Sequence, residues 1–341
     1  MSDQVRHQFI LNMYPDLNIG GGHNEAVEDV KKGLEAALYE EDIQVTDDSE
    51  GGLSPDNIKI QKLVYRIAED WEIPLIRTWY RYGQFEPYNT LRPSEFSPSP
   101  LEEFDRTVRS GKFGTVTRED IQGYYAETNL DEVWSQSMFD FLEENYQDWA
   151  PEEYRDLYLS NLAILDTLED ILECDDEELA TNAGDFITDM KSATLDLRYN
   201  MRSQERFTDD VLNHTISYLD SLQEALVKLE SINDPDPMQL QALRRGYMIY
   251  HGYVWPWPAM IISIHKAKVP SNEEPEFIDK GERLLTKFED TMPGQLKSWE
   301  EELQNVNLTP SVSQYQSVRG PSSSTFGDLE KGIMIKAGDE Q

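Results

Sequence analysis

Apolar residues recur every three or four positions along most of this chain, which is the spacing of one face of an α-helix. Between residues 119 and 232, three such stripes follow one another. Their members are Tyr158, Leu162, Leu165, Leu168, Ile171 and Leu172, then Leu179, Phe186, Ile187, Met190, Leu195 and Leu197, then Val211, Ile216, Leu219, Leu222, Leu226 and Leu229. These stripes predict a mainly α fold, with an antiparallel bundle of helices in this part of the chain.

Capping residues and prolines indicate where helices begin and end. Asn24 precedes a helical stripe that runs to Tyr39, and Ser54-Pro55-Asp56 precedes another, since these residue types favour the first positions of a helix. Thr117 and Asp120 have the spacing of a capping box. The sequence Asp234-Pro235-Asp236-Pro237 predicts a break between two helices.

Few segments alternate apolar and polar residues as strands do. We predict only a short hairpin, around residues 114–116, and Gly83 marks a helix end or a turn. Residues 247–264 are apolar and aromatic, but Pro256 and Pro258 favour a buried pair of helices over a membrane span. Residues 275–303 predict a last amphipathic helix or pair, broken near Pro293-Gly294.

These patterns divide the chain into four parts. Residues 1–52 hold the first helix and its linkers, and residues 53–118 form an N-terminal helical domain rich in aromatic side chains. Residues 119–304 form an acidic antiparallel helical bundle. Residues 305–341, which are rich in Ser, Pro, Gly and Gln, have the composition of a disordered tail.

The charge of the chain is strongly negative. Its net charge of −36 comes from 66 acidic and 30 basic side chains, spread along the whole sequence. This composition resembles that of haloarchaeal proteins, for which molar salt shortens the Debye length to about 3 Å and so screens the repulsion between carboxylates. From this composition we expect a salt-adapted protein. We expect it to be cytoplasmic, because the N-terminus lacks a basic-then-apolar signal pattern.

One segment departs from this acidity. Residues 56–118 contain ten basic and nine acidic side chains, whereas residues 119–244 contain seven basic and 31 acidic ones. In a strongly acidic protein, a near-neutral surface is where an acidic partner can approach. The alternative interpretation is that this segment is near neutral because it is buried.

The same segment carries a recognisable pattern. It reads Lys59-x-Gln61-Lys62-Leu63-x-Tyr65, then Trp79-x-x-Tyr82-Gly83, then Pro87-Tyr88. Over residues 58–88 this resembles the opening of the Panacea-type domain of SocA-like antitoxins, although Gln84 stands where that family has proline. The resemblance implies a helical protein-interaction domain, and it supplies no catalytic residue.

Three functions follow as hypotheses. The first is a non-enzymatic, antitoxin-like module that binds a protein partner. The second is a nucleic-acid-binding regulator, since basic residues interleaved with aromatic ones suit phosphate contacts and base stacking. Both would use an interaction surface made of Lys59, Lys62, Arg66, Trp79, Tyr80, Arg81 and Tyr82. The third is an enzyme with an unrecognised site at residues 247–265.

No residue pattern predicts a cofactor, a metal or a catalytic group. The five histidines fit no zinc motif, and neither a nucleotide-binding loop nor a nucleophile elbow is present. Cys174 stands among carboxylates, which disfavour its thiolate and make it a poor nucleophile. We therefore expect an interaction protein rather than an enzyme.

Overall fold

The computed structural model describes residues 25–46, 55–85, 91, 93–101, 109–111, 114–232, 234–269 and 274–309. The fold is mainly α, as predicted. The helices are α1 (Glu25–Glu40), α2 (Pro55–Asp70), α3 (Arg118–Ala126), α4 (Leu130–Ser135), α5 (Met138–Trp149), α6 (Glu152–Glu173), α7 (Asp176–Thr181), α8 (Ala183–Arg202), α9 (Asp209–Glu230), α10 (Pro237–Ile249), α11 (Pro256–Lys266) and α12 (Glu274–Asn305). A 3₁₀ turn covers Pro93–Glu95, and a π-helical turn covers Tyr250–Val254.

Several predicted helix starts are confirmed. Thr117 caps α3 through a capping box with Asp120. Pro55 is the first residue of α2. Asp236 caps α10 directly before Pro237, so the predicted break between α9 and α10 is confirmed.

The prolines in the last third of the chain act in two different ways. Of the break predicted at Pro256 and Pro258, the part at Pro256 is confirmed, because the π-helical turn separates α10 from α11 there, whereas Pro258 lies within α11. The predicted break near Pro293 is wrong, since α12 continues through it. Met292, Leu296 and Trp299 are all buried on one face of α12, and this packing holds the helix together across the proline. Within the described residues, no helix is both long and apolar enough to cross a membrane.

Two short antiparallel hairpins complete the fold. The predicted one is confirmed as β3 (Arg109–Gly111) paired with β4 (Gly114–Val116). The other consists of β1 (Thr78–Tyr80) and β2 (Gly83–Phe85), with Tyr80 paired to Gly83. Gly83 has φ of 86°, a left-handed conformation that glycine adopts readily. The predicted turn at Gly83 therefore closes a hairpin.

One hydrophobic core extends across the boundary predicted at residue 118. It joins Val30 of α1 and Val64 of α2 to Leu168 of α6 and Trp299 of α12. In the bundle, α8 packs between α6 and α9, while α11 packs against both β1 and α12. Leu308, at the start of the predicted tail, is buried. Residues 310–341 of that tail, the predicted joint at residues 20–22 and the linker at 47–52 lie outside the described residues.

Candidate functional site

The predicted interaction surface lies largely inside the protein. Trp79, Tyr80 and Arg81 of the hairpin are buried, as are Lys59 and Lys62 of α2. Arg66 and Tyr82 are partly exposed. The prediction that these seven residues form one exposed surface is therefore wrong. Over residues 56–85, the structure supports the alternative interpretation that the near-neutral segment is a buried one.

The lysines of this set are buried because each donates to backbone carbonyl groups. The Lys59 ammonium group lies 3.0 Å from the Trp134 carbonyl oxygen and 2.9 Å from that of Gln136. It thereby satisfies carbonyl groups that the C-terminal end of α4 leaves free. The Lys62 ammonium group donates to the Gln84 carbonyl oxygen at 2.7 Å, which ties α2 to β2.

Arg66 has a comparable role at the edge of the core. Its guanidinium group donates to the Asn145 side-chain oxygen at 2.8 Å. It also lies over the rings of Phe141 and Trp149, at 5.6 and 5.3 Å from their centres, where cation–π attraction favours the positive charge. These contacts attach α2 to α5, so Arg66 contributes to the packing of these two helices.

The aromatic residues of the hairpin form the centre of an aromatic cluster. The Trp79 ring lies 5.4 Å from Tyr158 and 6.5 Å from Tyr146, and the Tyr158 ring lies 5.6 Å from Trp255. The Tyr65 hydroxyl group accepts a hydrogen bond from the Trp79 indole at 3.2 Å. The cluster joins α2, α5, α6 and the hairpin into one packed unit.

The hairpin also meets the segment at 247–265, the second region that the sequence singled out. The Trp255 indole donates to the Arg81 carbonyl oxygen at 2.7 Å, and the Tyr158 hydroxyl group donates to the Tyr80 carbonyl oxygen at 2.8 Å. The Tyr82 hydroxyl group forms a hydrogen bond with His251 Nε2. Residues 79–82 and 247–265 therefore form one site, although the sequence separates them widely.

His251 lies in the π-helical turn, a form that is frequent at functional sites. Its ring stacks on Tyr247 with 5.7 Å between ring centres. Burial of the ring and the nearby positive charge of Arg81 lower the pKa of His251 to about 3. The imidazole is therefore neutral at neutral pH, and it can accept a hydrogen bond from Tyr82 but is a weak base.

The other candidate side chains are engaged in packing. The Tyr154 hydroxyl group forms a hydrogen bond with His265 Nδ1 at 2.8 Å, and the His214 ring stacks on Trp257. Burial and neighbouring carboxylates raise the pKa of the Cys174 thiol, as its sequence context predicts. Among the described residues, no group of three or more His, Cys, Asp or Glu side chains is placed to hold a metal ion.

An exposed apolar face lies elsewhere, on α8. Leu195 was predicted to face the core, but it is 66% exposed, and Tyr199, one turn later, is 75% exposed. Helix α8 carries three acidic and three basic residues. It lies between α6, which has seven acidic residues and one basic residue, and α9, which has five acidic residues and one basic residue. Leu195 and Tyr199 are thus an apolar pair on an outer surface that also exposes Asp189, Asp196 and Arg202, and negative charge flanks this surface.

A signal for this face was present in the sequence. Leu195 and Leu197 are only two positions apart in the stripe assigned to α8, and residues two apart cannot both lie at the centre of one helix face. The structure buries Leu197 and exposes Leu195. The irregularity of the stripe therefore marked an apolar residue on the outer surface.

Comparison with known proteins gives one family. A family model described as a domain of unknown function (DUF8098) matches residues 86–331. The match begins directly after β2, so it includes α8 but leaves out α2 and the first hairpin. Searches of curated proteins and of solved structures returned no significant match.

Proposed function

The chain belongs to the DUF8098 family, a domain of unknown function, and we propose that it is a non-enzymatic protein-interaction module whose docking face is on α8. The observation that carries this proposal is the pair Leu195 and Tyr199, which present large apolar side chains to solvent at the i, i+4 spacing. That spacing is how helix surfaces place anchor residues for a partner. The family match includes this helix.

The charges around α8 favour a basic partner. The outer surfaces of α6 and α9 carry exposed carboxylates, among them Asp166, Asp170 and Asp209. Burial and the nearby carboxylates of Asp170, Asp140 and Asp189 raise the pKa of Asp166. A second copy of this chain would add to this repulsion, whereas lysine and arginine side chains would relieve it.

The partner that fits is a protein segment with two or three apolar anchors and flanking basic residues. The apolar anchors supply affinity that salt does not screen, and the charges select the partner. The antitoxin-like interpretation is a narrower form of the same proposal, in which the partner is a basic toxin. The buried Lys59 and Lys62 and the partly exposed Arg66 do not take part in this contact.

A double variant on α8 tests the docking face, and a variant on α10 serves as its matched control. We expect the wild-type protein, used as bait in molar KCl, to retain one stoichiometric partner that contains such a basic segment. Since both anchors contact the partner, Leu195→Ser/Tyr199→Ser should weaken the affinity of that purified partner at least tenfold in calorimetric titration. Met238→Ser removes a side chain of similar exposure, 58%, from α10 and should leave the affinity unchanged.

The proposal fails on either of two results. One is an affinity that is the same for the double variant and the wild-type protein. The other is a partner whose contacting segment is acidic, or a second copy of this chain. All three substituted positions are exposed and should not disturb the core, and circular dichroism of each variant checks that it is folded.

A further inference from the structure

Lys62 is a buried lysine whose charged form has no counter-ion among the described residues. Only 2% of the residue is exposed, and its ammonium group donates to the Gln84 carbonyl oxygen. Within the part of the chain that the structure describes, no carboxylate forms an ion pair with it. A buried charge is costly unless it is paired, and the ammonium group retains two further N–H donors.

Three neighbouring side chains have polar atoms that no hydrogen-bond partner satisfies. These atoms are both amide atoms of Gln84, Nδ2 of Asn145 and the hydroxyl oxygen of Tyr146. All three residues are fully buried. Since the large majority of buried side-chain polar atoms are hydrogen-bonded in proteins, four such atoms on three residues require an explanation.

Contacts among α2, β2 and α5 link the residues that carry these groups. Gln84 follows Gly83, whose backbone lies against the Tyr146 ring: a Cβ atom at Gly83 would be 2.8 Å from a carbon of that ring. Asn145 precedes Tyr146 and accepts a hydrogen bond from Arg66, one turn after Lys62. We call Lys62, Gln84, Asn145 and Tyr146 the Lys62 cluster.

Hydrogen-bond donors predominate in this cluster. N–H or O–H groups are offered by the Lys62 ammonium group, the amide groups of Gln84 and Asn145, and the Tyr146 hydroxyl group. Among the unpaired atoms, the only obligate acceptor is the Gln84 side-chain oxygen. Burial raises the pKa of Tyr146 above its ordinary value, so this hydroxyl group keeps its proton. A ligand that pairs with these donor groups must accept hydrogen bonds.

We propose that the Lys62 cluster is a binding site for a small anion, of the size of chloride or formate, whose charge pairs with the Lys62 ammonium group. The amide groups of Asn145 and Gln84 and the Tyr146 hydroxyl group donate to it. The ligand is small because Trp79, Tyr146 and Tyr158 pack around this part of the core. This proposal uses none of the residues of the α8 face, so each can fail without the other.

Anion binding is coupled to the proton on Lys62. Burial and the adjacent charge of Arg66 lower the pKa of Lys62 well below its ordinary value. The charges that act on Arg66 are those of Glu144 and Asp148 on α5 and Asp70 on α2. A bound anion favours the charged form of Lys62 and raises its pKa. The anion and a proton therefore enter together, and the affinity for the anion falls as the pH rises.

Crystals soaked in bromide test the site directly. We expect an anomalous bromide peak within hydrogen-bond distance of the Lys62 ammonium nitrogen and of at least one of the three donor side chains. Peaks confined to the protein surface would mean an adventitious ion only. That result, or an ordered water molecule in the cluster in place of bromide, overturns the proposal.

Thermal unfolding gives a second measurement, in solution. In this series, potassium formate replaces potassium glutamate in the buffer while the total salt concentration stays constant. Glutamate is a carboxylate that is too large to enter the Lys62 cluster. Above the dissociation constant, each tenfold increase in formate should lower the unfolding equilibrium constant about tenfold, with a smaller effect at higher pH. Tyr146→Phe should weaken this response, and Lys62→Met should abolish it.

The Lys59→Met variant serves as the control, because Lys59 is buried on the same helix but donates to α4. It should keep the response to formate. If the Lys62→Met variant does not fold, the formate response of Tyr146→Phe and the position of the bromide peak test the proposed anion site. A response that is equal in the wild-type, Tyr146→Phe and Lys59→Met proteins contradicts the proposal.

Discussion

At the residue scale, His251 lies between the Tyr82 hydroxyl group and the Tyr247 ring, close to the charge of Arg81. Its pKa is about 3 in the folded protein and about 6.5 in an unfolded chain. Between these values the unfolded state binds the proton and the folded state does not. The contribution of His251 to stability is therefore fully present above about pH 6.5 and is lost as the pH falls towards 3.

We predict that His251→Asn removes this part of the pH dependence. The free energy of unfolding of the wild-type protein should fall relative to that of the variant by about 1 kcal/mol per pH unit between pH 6 and 4. Urea denaturation at a fixed molar KCl concentration measures the difference. Tyr82→Phe is the control, since it keeps the histidine and should keep the wild-type slope. Parallel profiles for wild-type and His251→Asn proteins would contradict the assignment.

The seven residues predicted as a surface illustrate what a single sequence could not supply. The apolar stripe of α2 correctly identified one buried face. Lys59 and Lys62 lie outside that stripe, and their burial depends on carbonyl groups of Trp134, Gln136 and Gln84. Because two of those partners are more than 70 positions away in the chain, local periodicity carries no information about them.

At the scale of the elements, capping residues and apolar periodicity predicted most helices. The elements that they did not predict depend on tertiary packing. The capping box of Thr117 and the break at Asp236-Pro237 are local features, and both are confirmed. The β1–β2 hairpin has strands of only three residues, too short to show a period of two. The continuity of α12 through Pro293 depends on buried contacts that the sequence does not display.

The hairpin gives a prediction about its turn. Gly83 has a positive φ, and a Cβ atom there would lie 2.8 Å from the Tyr146 ring and 2.9 Å from the Trp79 ring. We predict that Gly83→Ala lowers the free energy of unfolding by about 2–4 kcal/mol, from backbone strain and overpacking together. Urea denaturation measures this change.

Gly123, inside α3, is the matched control. A Cβ atom at Gly123 would meet nothing within 4 Å. Gly123→Ala should therefore leave the stability unchanged or raise it by up to about 1 kcal/mol, since alanine favours the helix. Equal effects of the two substitutions would mean that the hairpin does not pack on Tyr146 as described.

At the scale of the whole molecule, the charge of −36 opposes compaction. The ion pairs among the described residues include partly exposed ones such as Arg244–Asp176 and Lys280–Glu276, and such pairs contribute little individually. Such pairs therefore offset little of the repulsion among the carboxylates. Adaptation to high salt remains a prediction from composition, and it has a direct test.

We predict that the melting temperature rises as KCl increases from about 0.1 to 1 M, because the Debye length then shortens from about 10 to 3 Å. Differential scanning calorimetry measures the change. Sodium chloride at the same concentrations should give a similar rise, since screening depends on ionic strength. A melting temperature that stays constant or falls over this range would rule out charge repulsion as the main limit on stability.

The central claim about the whole molecule is that its partner docks on α8. Photo-crosslinking tests this claim most directly, with benzoylphenylalanine placed at Tyr199 in one sample and at Tyr39, which is also exposed but lies on α1, in another. We predict that the residue at position 199 crosslinks to a basic segment of the partner and that the one at position 39 does not. Crosslinks of equal yield from both positions, or from position 39 alone, would contradict the proposed docking face.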